Sequence, residues 1–188
     1  MSQNLQNFTK AASMLRSAAV RVPADAWDNP TCCEGWTARE AAGHASWVLQ
    51  NIAAGANGGG HPAEQPESDV AGSDPAATVC SSVDACLAAL DQPDVLGKVS
   101  QTPFGEMPMD DFIGAVWVDP MTHAWDIADA TGIGHGIDEA TAAAALDQLR
   151  PMADMMRSAG AFGPEQQTSS TNSVDQFVAF SGRTSVHS

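Results

Sequence analysis

Leu5, Phe8, Ala12, Leu15, Ala19 and Val22 recur at alternating spacings of three and four, the stripe of a helix packed along a core, and Pro23 closes it. Residues 25–34 then read as a loop that carries Trp27, Pro30 and the adjacent Cys32 and Cys33. Thr37-Ala-Arg-Glu40 has the form of a capping box, with Trp36 in place to staple onto Ala41. It predicts a second helix over about 38–54, ended by the glycine-rich run 55–60, with His44 on its inward stripe between Ala41 and Val48. Residues 55–73 are rich in Gly, Pro, Ser and Glu and read as a mobile loop. Asp74-Pro75 supplies an N-cap with proline at the first helical position, and Val79, Val83, Cys86, Leu87 and Leu90 form the buried face of a third helix.

Val95, Gly97 and Val99 alternate, and Pro103-Phe-Gly105 turns the chain, which predicts a short hairpin or extended connection. A fourth helix is expected over 110–131, with Phe112, Val116, Asp119, His123, Ile127 and Ala130 on one stripe and Gly132 at its C-terminal cap. Pro120 falls inside that span and predicts a kink. Asp138 caps a fifth helix through residue 150, residues 161–173 are polar and loose, and Val174, Phe177 and Val178 mark a short closing helix before Gly182-Arg183. The pattern is that of an all-α bundle with additional short C-terminal helices, read as a single domain over residues 1–188.

Three polar positions on these apolar stripes carry the chemistry. Asp119 and His123 are four apart and project from one helical face. His44, on a different helix, is the natural third ligand. Two imidazoles and a carboxylate suit a divalent cation, zinc before nickel, and leave coordination positions open. Burying such groups unpaired costs on the order of 2–7 kcal/mol each, and more for a charge, which a shared cation removes. The rival is a purely structural His–Asp hydrogen-bonded network. Asp126, three residues beyond His123, can orient a ligand imidazole from behind or accept from a tryptophan or backbone N–H.

Composition narrows the partners. A formal net charge of −15 argues against nucleic acid and anionic membrane surfaces. No segment approaches the ~20 apolar residues of a membrane span, and the N-terminus lacks the basic and apolar regions of a signal peptide, so a cytoplasmic protein is expected. The four cysteines form no CxxC pair and read as small buried hydrophobes of a reduced protein. Cys33, just before a predicted helix start, would need a lowered pKa to act as a nucleophile. His61, His135 and His187 lie in glycine-rich or terminal segments and read as solvated, although His61 could swing toward a metal.

Pro30-Thr-Cys-Cys33-Glu-Gly-Trp36-Thr-Ala-Arg-Glu40-Ala-Ala-Gly-His44 and His123-Ala-Trp-Asp126-Ile-Ala-Asp-Ala-Thr-Gly132 resemble the DinB/YfiT-like metalloenzymes. The branch is the one similar to the N-terminal metal-binding domain of mycothiol-dependent maleylpyruvate isomerase, and Phe177-Val-Ala-Phe180-Ser-Gly-Arg183 resembles its closing segment. The resemblance implies an up-and-down four-helix bundle holding zinc or nickel through His44, Asp119 and His123, with Trp36 and Trp125 packed around the ligand helices. It departs at Cys32, where the family usually has proline, and at Pro120, directly after the carboxylate ligand. The isomerase carries a further C-terminal domain to which nothing here corresponds, so its reaction is not carried over by name.

The function expected from this resemblance is a metal-dependent thiol transferase or isomerase. The metal would hold mycothiol, or another low-molecular-weight thiol cosubstrate, as thiolate; no residue is assigned as general base. A metal-dependent hydrolase and a non-catalytic metal- or ligand-binding module are the alternatives. The partner expected is a small-molecule thiol or thiol conjugate, with a homodimer left open.

Overall fold

Helix α1 (Gln3–Ala19) starts where the Ser2 hydroxyl accepts the Leu5 amide, and it buries Leu5, Phe8, Ala11, Ala12, Met14, Leu15, Ala18 and Ala19. In α2 (Ala38–Ala56) the Glu40 carboxylate reaches back to the Thr37 amide at 2.8 Å and also takes the Thr37 hydroxyl. Asp74 caps α4 (Pro75–Leu90) by accepting from Ala77, with Pro75 in the first turn as expected. The structure, a computed structural model, describes residues 1–60, 62–158 and 160–187. His61 therefore lies outside the described residues.

The segment expected to be loose is in part ordered. Within it, Glu67–Ala71 forms the short helix α3, with Ala71 fully buried. Gly43 of α2 is the seat: a Cβ built there would lie 1.9 Å from the Glu67 carbonyl oxygen, a backbone atom that cannot swing aside. On propensity alone Gly43→Ala would favour the helix by about 1 kcal/mol. The overlap reverses that sign, and a net loss of about 1–3 kcal/mol in urea unfolding is expected. A stabilised variant would show that α3 does not rest there.

The predicted hairpin is present as β1 (Val99–Thr102) and β2 (Gly105–Pro108), antiparallel with Val99 opposite Pro108. Val95–Gly97 is a 3₁₀ turn instead of the start of a strand. The single fourth helix of the sequence pattern is two: α5 (Met109–Val116) and α6 (Val118–Thr131), broken at Trp117. The reason is Pro120. It has no N–H for the Val116 carbonyl, and its ring would crowd that oxygen. Breaking three residues earlier places the proline in a first turn, where an amide has no helical partner anyway. Asp119 then becomes the second residue of a helix, in the electropositive first turn, instead of a side chain beside a mid-helix kink.

After Gly132, left-handed at φ +70° as the cap expectation required, come α7 (Glu139–Leu149), α8 (Ala153–Ser158) and α9 (Ser173–Phe180). Asp138 caps α7 and Asn172 caps α9. The fold is mainly α, with one small two-stranded sheet among the described residues. Helix α2 packs on α4 and α6, α1 packs on the same two, and α9 packs on α7. Phe8, Leu15, Leu49, Ile52, Val79, Ile113, Met121 and Ile127 meet in the middle at 1% exposure or less. No helix among the described residues is long and apolar enough to cross a membrane.

Candidate metal centre

Helices α2 and α6 bring the three predicted ligand residues together. Asp119 Oδ1 lies 3.8 Å from His44 Nε2 and 3.6 Å from His123 Nε2, and the two imidazole rings stand 5.0 Å apart at 64°. One donor atom from each falls within 4.8 Å of the others. Around a tetrahedral ion with ligands at about 2.1 Å, donor atoms are roughly 3.4 Å apart, and both Asp119–histidine distances lie within a few tenths of an ångström of that. Asp119 Oδ2 is buried with no hydrogen-bond partner among the described residues. An orphaned carboxylate oxygen is costly, and a cation is what would satisfy it. The residues present therefore fit the metal that the resemblance implies.

His123 is held from behind. Its Nδ1 lies 2.9 Å from Asp126 Oδ2, and donation there leaves Nε2 directed at Asp119. Asp126 has no side-chain exposure and receives Arg183 on both oxygens, Nε to Oδ1 at 2.6 Å and Nη2 to Oδ2 at 2.9 Å. Burial opposes ionisation of both carboxyls. It is outweighed at Asp119 by His123 and His44, and at Asp126 by Arg183 and His123, so both sit well below the usual carboxylate range. Burial likewise opposes the His123 imidazolium, but Asp119 and Asp126 raise it to about 10. Trp36 leans over both imidazoles, 5.0 Å from His44 and 5.9 Å from His123, so it covers the trio rather than only bracing the helix start.

Arg183 is the residue of the candidate site that the residue pattern left without a role. Its position depends on the end of α9, where Gly182 is left-handed at φ +79° and approaches the Gly163 backbone so closely that a Cβ would lie 2.6 Å from it. Arg183 then turns back to α6 and is itself 8% exposed. A signal was available: Phe177, Phe180 and Arg183 follow one another at spacing three, so a cation continues an apolar stripe in a chain with only eight Lys and Arg.

The cysteine expectation needs correction. Only Cys86 is fully buried, and burial pushes its thiol up to about 12. Cys32 and Cys33 are half-buried and converge on Asp126, with Sγ 3.6 Å from Oδ1 and 3.7 Å from Oδ2 respectively. A tight backbone arrangement holds them there: the Thr31 amide and hydroxyl both donate to the Trp36 carbonyl, and the Trp36 amide donates to Cys33. Among the described residues no histidine is hydrogen-bonded to Cys33; the cation beside it is Arg183, with Nη2 at 3.8 Å from Sγ. Donation from the Cys32 thiol is the largest influence on Cys33 and, with Arg183 and His123, brings it down to about 7, while Cys32 moves up.

His44, Asp119, His123, Cys32, Cys33 and Arg183 face one cavity of about 1200 Å³. The trio, Trp36, the cysteines and Arg183 line one part of it, and Trp47, Val48, Phe104, Phe112 and Val116 supply apolar wall elsewhere. His135 and His187 lie outside this lining: His135 Nδ1 accepts the Ile137 amide, and His187 Nε2 meets the Asp129 carbonyl.

No family model matches the chain. Two uncharacterized proteins of Mycobacterium tuberculosis, from strains CDC 1551 and H37Rv, are each 29% identical to it over 183 residues, which is 96% of this chain and 97% of theirs. Among solved structures, the crystal structure of a mycothiol-dependent maleylpyruvate isomerase matches with a TM-score of 0.54 and 18% identity. That match covers 66% of this chain and 59% of the isomerase chain, so it spans about three-fifths of that protein and shows a related fold.

Proposed function

We propose that the chain is a divalent-metal-binding enzyme that activates a small thiol cosubstrate, of the mycothiol-dependent transferase or isomerase type. The observation that carries this is the Asp119 carboxylate, whose Oδ1 faces two imidazoles from separate helices while its buried Oδ2 has no hydrogen-bond partner among the described residues. Zinc, or nickel in second place, is the ion that two nitrogens and one carboxylate oxygen suit. Bound there, it would supply a Lewis-acid centre with one positive charge left uncompensated by Asp119, which favours a thiol as its thiolate at neutral pH.

The chain's own residues do the rest. Asp126 fixes the His123 tautomer and ring plane, and Arg183 keeps Asp126 ionised where burial would protonate it. Trp36 shields the imidazoles from bulk water. The cavity exceeds the roughly 300–1000 Å³ of single-ligand pockets and leaves room for a thiol together with a second, apolar electrophile. The four long helices α1, α2, α4 and α6 are read as an up-and-down bundle of the DinB/YfiT type within one domain, a reading supported by their mutual packing and by the isomerase fold match.

The test is cobalt substitution followed by titration with mycothiol or another low-molecular-weight thiol. Sulfur-to-metal charge transfer should appear, His123→Ala should abolish it, and Cys33→Ala should leave it largely intact because the added thiol supplies the sulfur. Loss of the band in Cys33→Ala alone would make the protein's own sulfur the ligand and overturn the mechanism.

A further inference from the structure

Cys32, Cys33 and Asp126 have donor atoms within 4.8 Å of one another, a second group of potential ligands beside the trio. A cation does not belong there. Asp126 already receives Arg183 on both oxygens and His123 on one, and the guanidinium also reaches Cys33. A second positive ion would meet Arg183 at close range with its only carboxylate already neutralised. What the arrangement favours is negative charge on sulfur. As a thiolate, Cys33 Sγ accepts from Arg183 Nη2, and it lies on a cavity wide enough for a small molecule.

We propose that Cys33 is a site of reversible mixed-disulfide formation with the disulfide of a low-molecular-weight thiol, with Arg183 holding its sulfur ready for attack. The Cys33 sulfur attacks one sulfur of the disulfide. A Cys33–sulfur bond forms, the reagent's sulfur–sulfur bond breaks, and its electron pair leaves with the second sulfur as a thiolate that takes a proton from solvent. The Cys33 sulfur is oxidised and the departing half of the reagent is reduced. A following attack by Cys32 is disfavoured. Adjacent Cα atoms are about 3.8 Å apart, inside the roughly 4.4–6.8 Å of unstrained disulfides, so the mixed disulfide is the product that persists. The site does not require an ion in the trio.

The experiment treats the native wild-type protein with glutathione disulfide and reads intact mass, a peptide map and zinc content on the same sample. One glutathionyl group per chain, on Cys33 and removed by dithiothreitol, is expected. Cys32→Ala, which leaves the Asp126–Arg183 pair intact, should still take the adduct at Cys33, and Cys33→Ala should take none. The wild-type rate–pH profile should have its midpoint below the ~8.5 of an ordinary thiol. An adduct on Cys32 or Cys80 in place of Cys33 would overturn the proposal. So would an internal Cys32–Cys33 disulfide without adduct, a native chain that stays unlabelled while the urea-unfolded chain reacts, or a rate–pH profile with the midpoint of an ordinary thiol. Zinc retained with no adduct defeats this proposal alone, and an adduct with no zinc defeats the metal reading alone.

Discussion

His123→Ala is expected to leave a folded protein that retains almost none of the tightly held divalent metal, a fall in affinity of more than about 100-fold. The substitution removes the one imidazole whose second nitrogen is already committed to Asp126, so no neighbour can take its place. Weakening a supporting hydrogen bond costs about 10–100-fold in metal affinity, which is the range expected of Asp126→Asn, and removing the ligand itself costs more. His44→Ala should behave like His123→Ala. The core residues Phe8, Leu49, Ile113 and Met121 are fully buried and unchanged by the exchange, so the helical circular dichroism should persist. Metal analysis after dialysis against zinc checks the result, and wild-type content in either histidine variant would remove the trio from consideration.

The same centre sets a pH dependence for binding. In the metal-free protein His123 holds its proton up to about 10, and an ion must displace it from Nε2. Zinc affinity should therefore climb as the pH rises from 6 toward 9, with proton release visible as a buffer-dependent heat in calorimetry.

The second large effect is on stability. Arg183→Met should destabilise the metal-free protein by about 3–5 kcal/mol, because it leaves Asp126, with no side-chain exposure, short of its main counter-charge. The double variant Arg183→Met/Asp126→Leu should recover much of that loss, since no buried charge is then left unpaired. Urea unfolding of the single and double variants decides the matter, and additive losses would rule out the coupling. The sign of the pH dependence follows from each group. Asp126, depressed in the folded state, contributes stability that is present above the ordinary carboxylate value and lost as the pH falls below it. His123, raised from 6.5 to about 10, contributes stability that is full below 6.5 and lost as the pH climbs through about 10. The metal-free wild type is thus expected to be most stable between about 4 and 6.5, and Arg183→Met should move the acid limb upward.

The relative placement of the candidate ligand residues was legible in the sequence wherever it depends on helical repeat. Asp119 and His123 share a face at four residues, and Asp126 falls behind His123 at three. His44 lies on the inward stripe of a helix whose start Thr37 and Glu40 mark locally. The caps at Asp74, Asp138 and Gly132 were readable for the same reason: each satisfies or ends a helix with atoms a few residues away. Pro120 was read as a kink because its effect within a helix is local. Whether the chain bends there or restarts upstream depends on what α5 and α6 each pack against.

Only the tertiary structure decided the rest. Arg183 reaches Asp126 across 57 residues and Cys33 reaches it across 93, and no periodicity relates such positions. The half-exposed cysteines, the docking of α3 on Gly43 and the tilt of Trp36 over the imidazoles likewise follow from the way separate elements meet. Side-chain spacing along one helix is set by a fixed rise and turn, so a sequence carries it directly. The partner of a buried charge is set by which helix ends arrive at the same place, and that is settled by burial summed over the whole core.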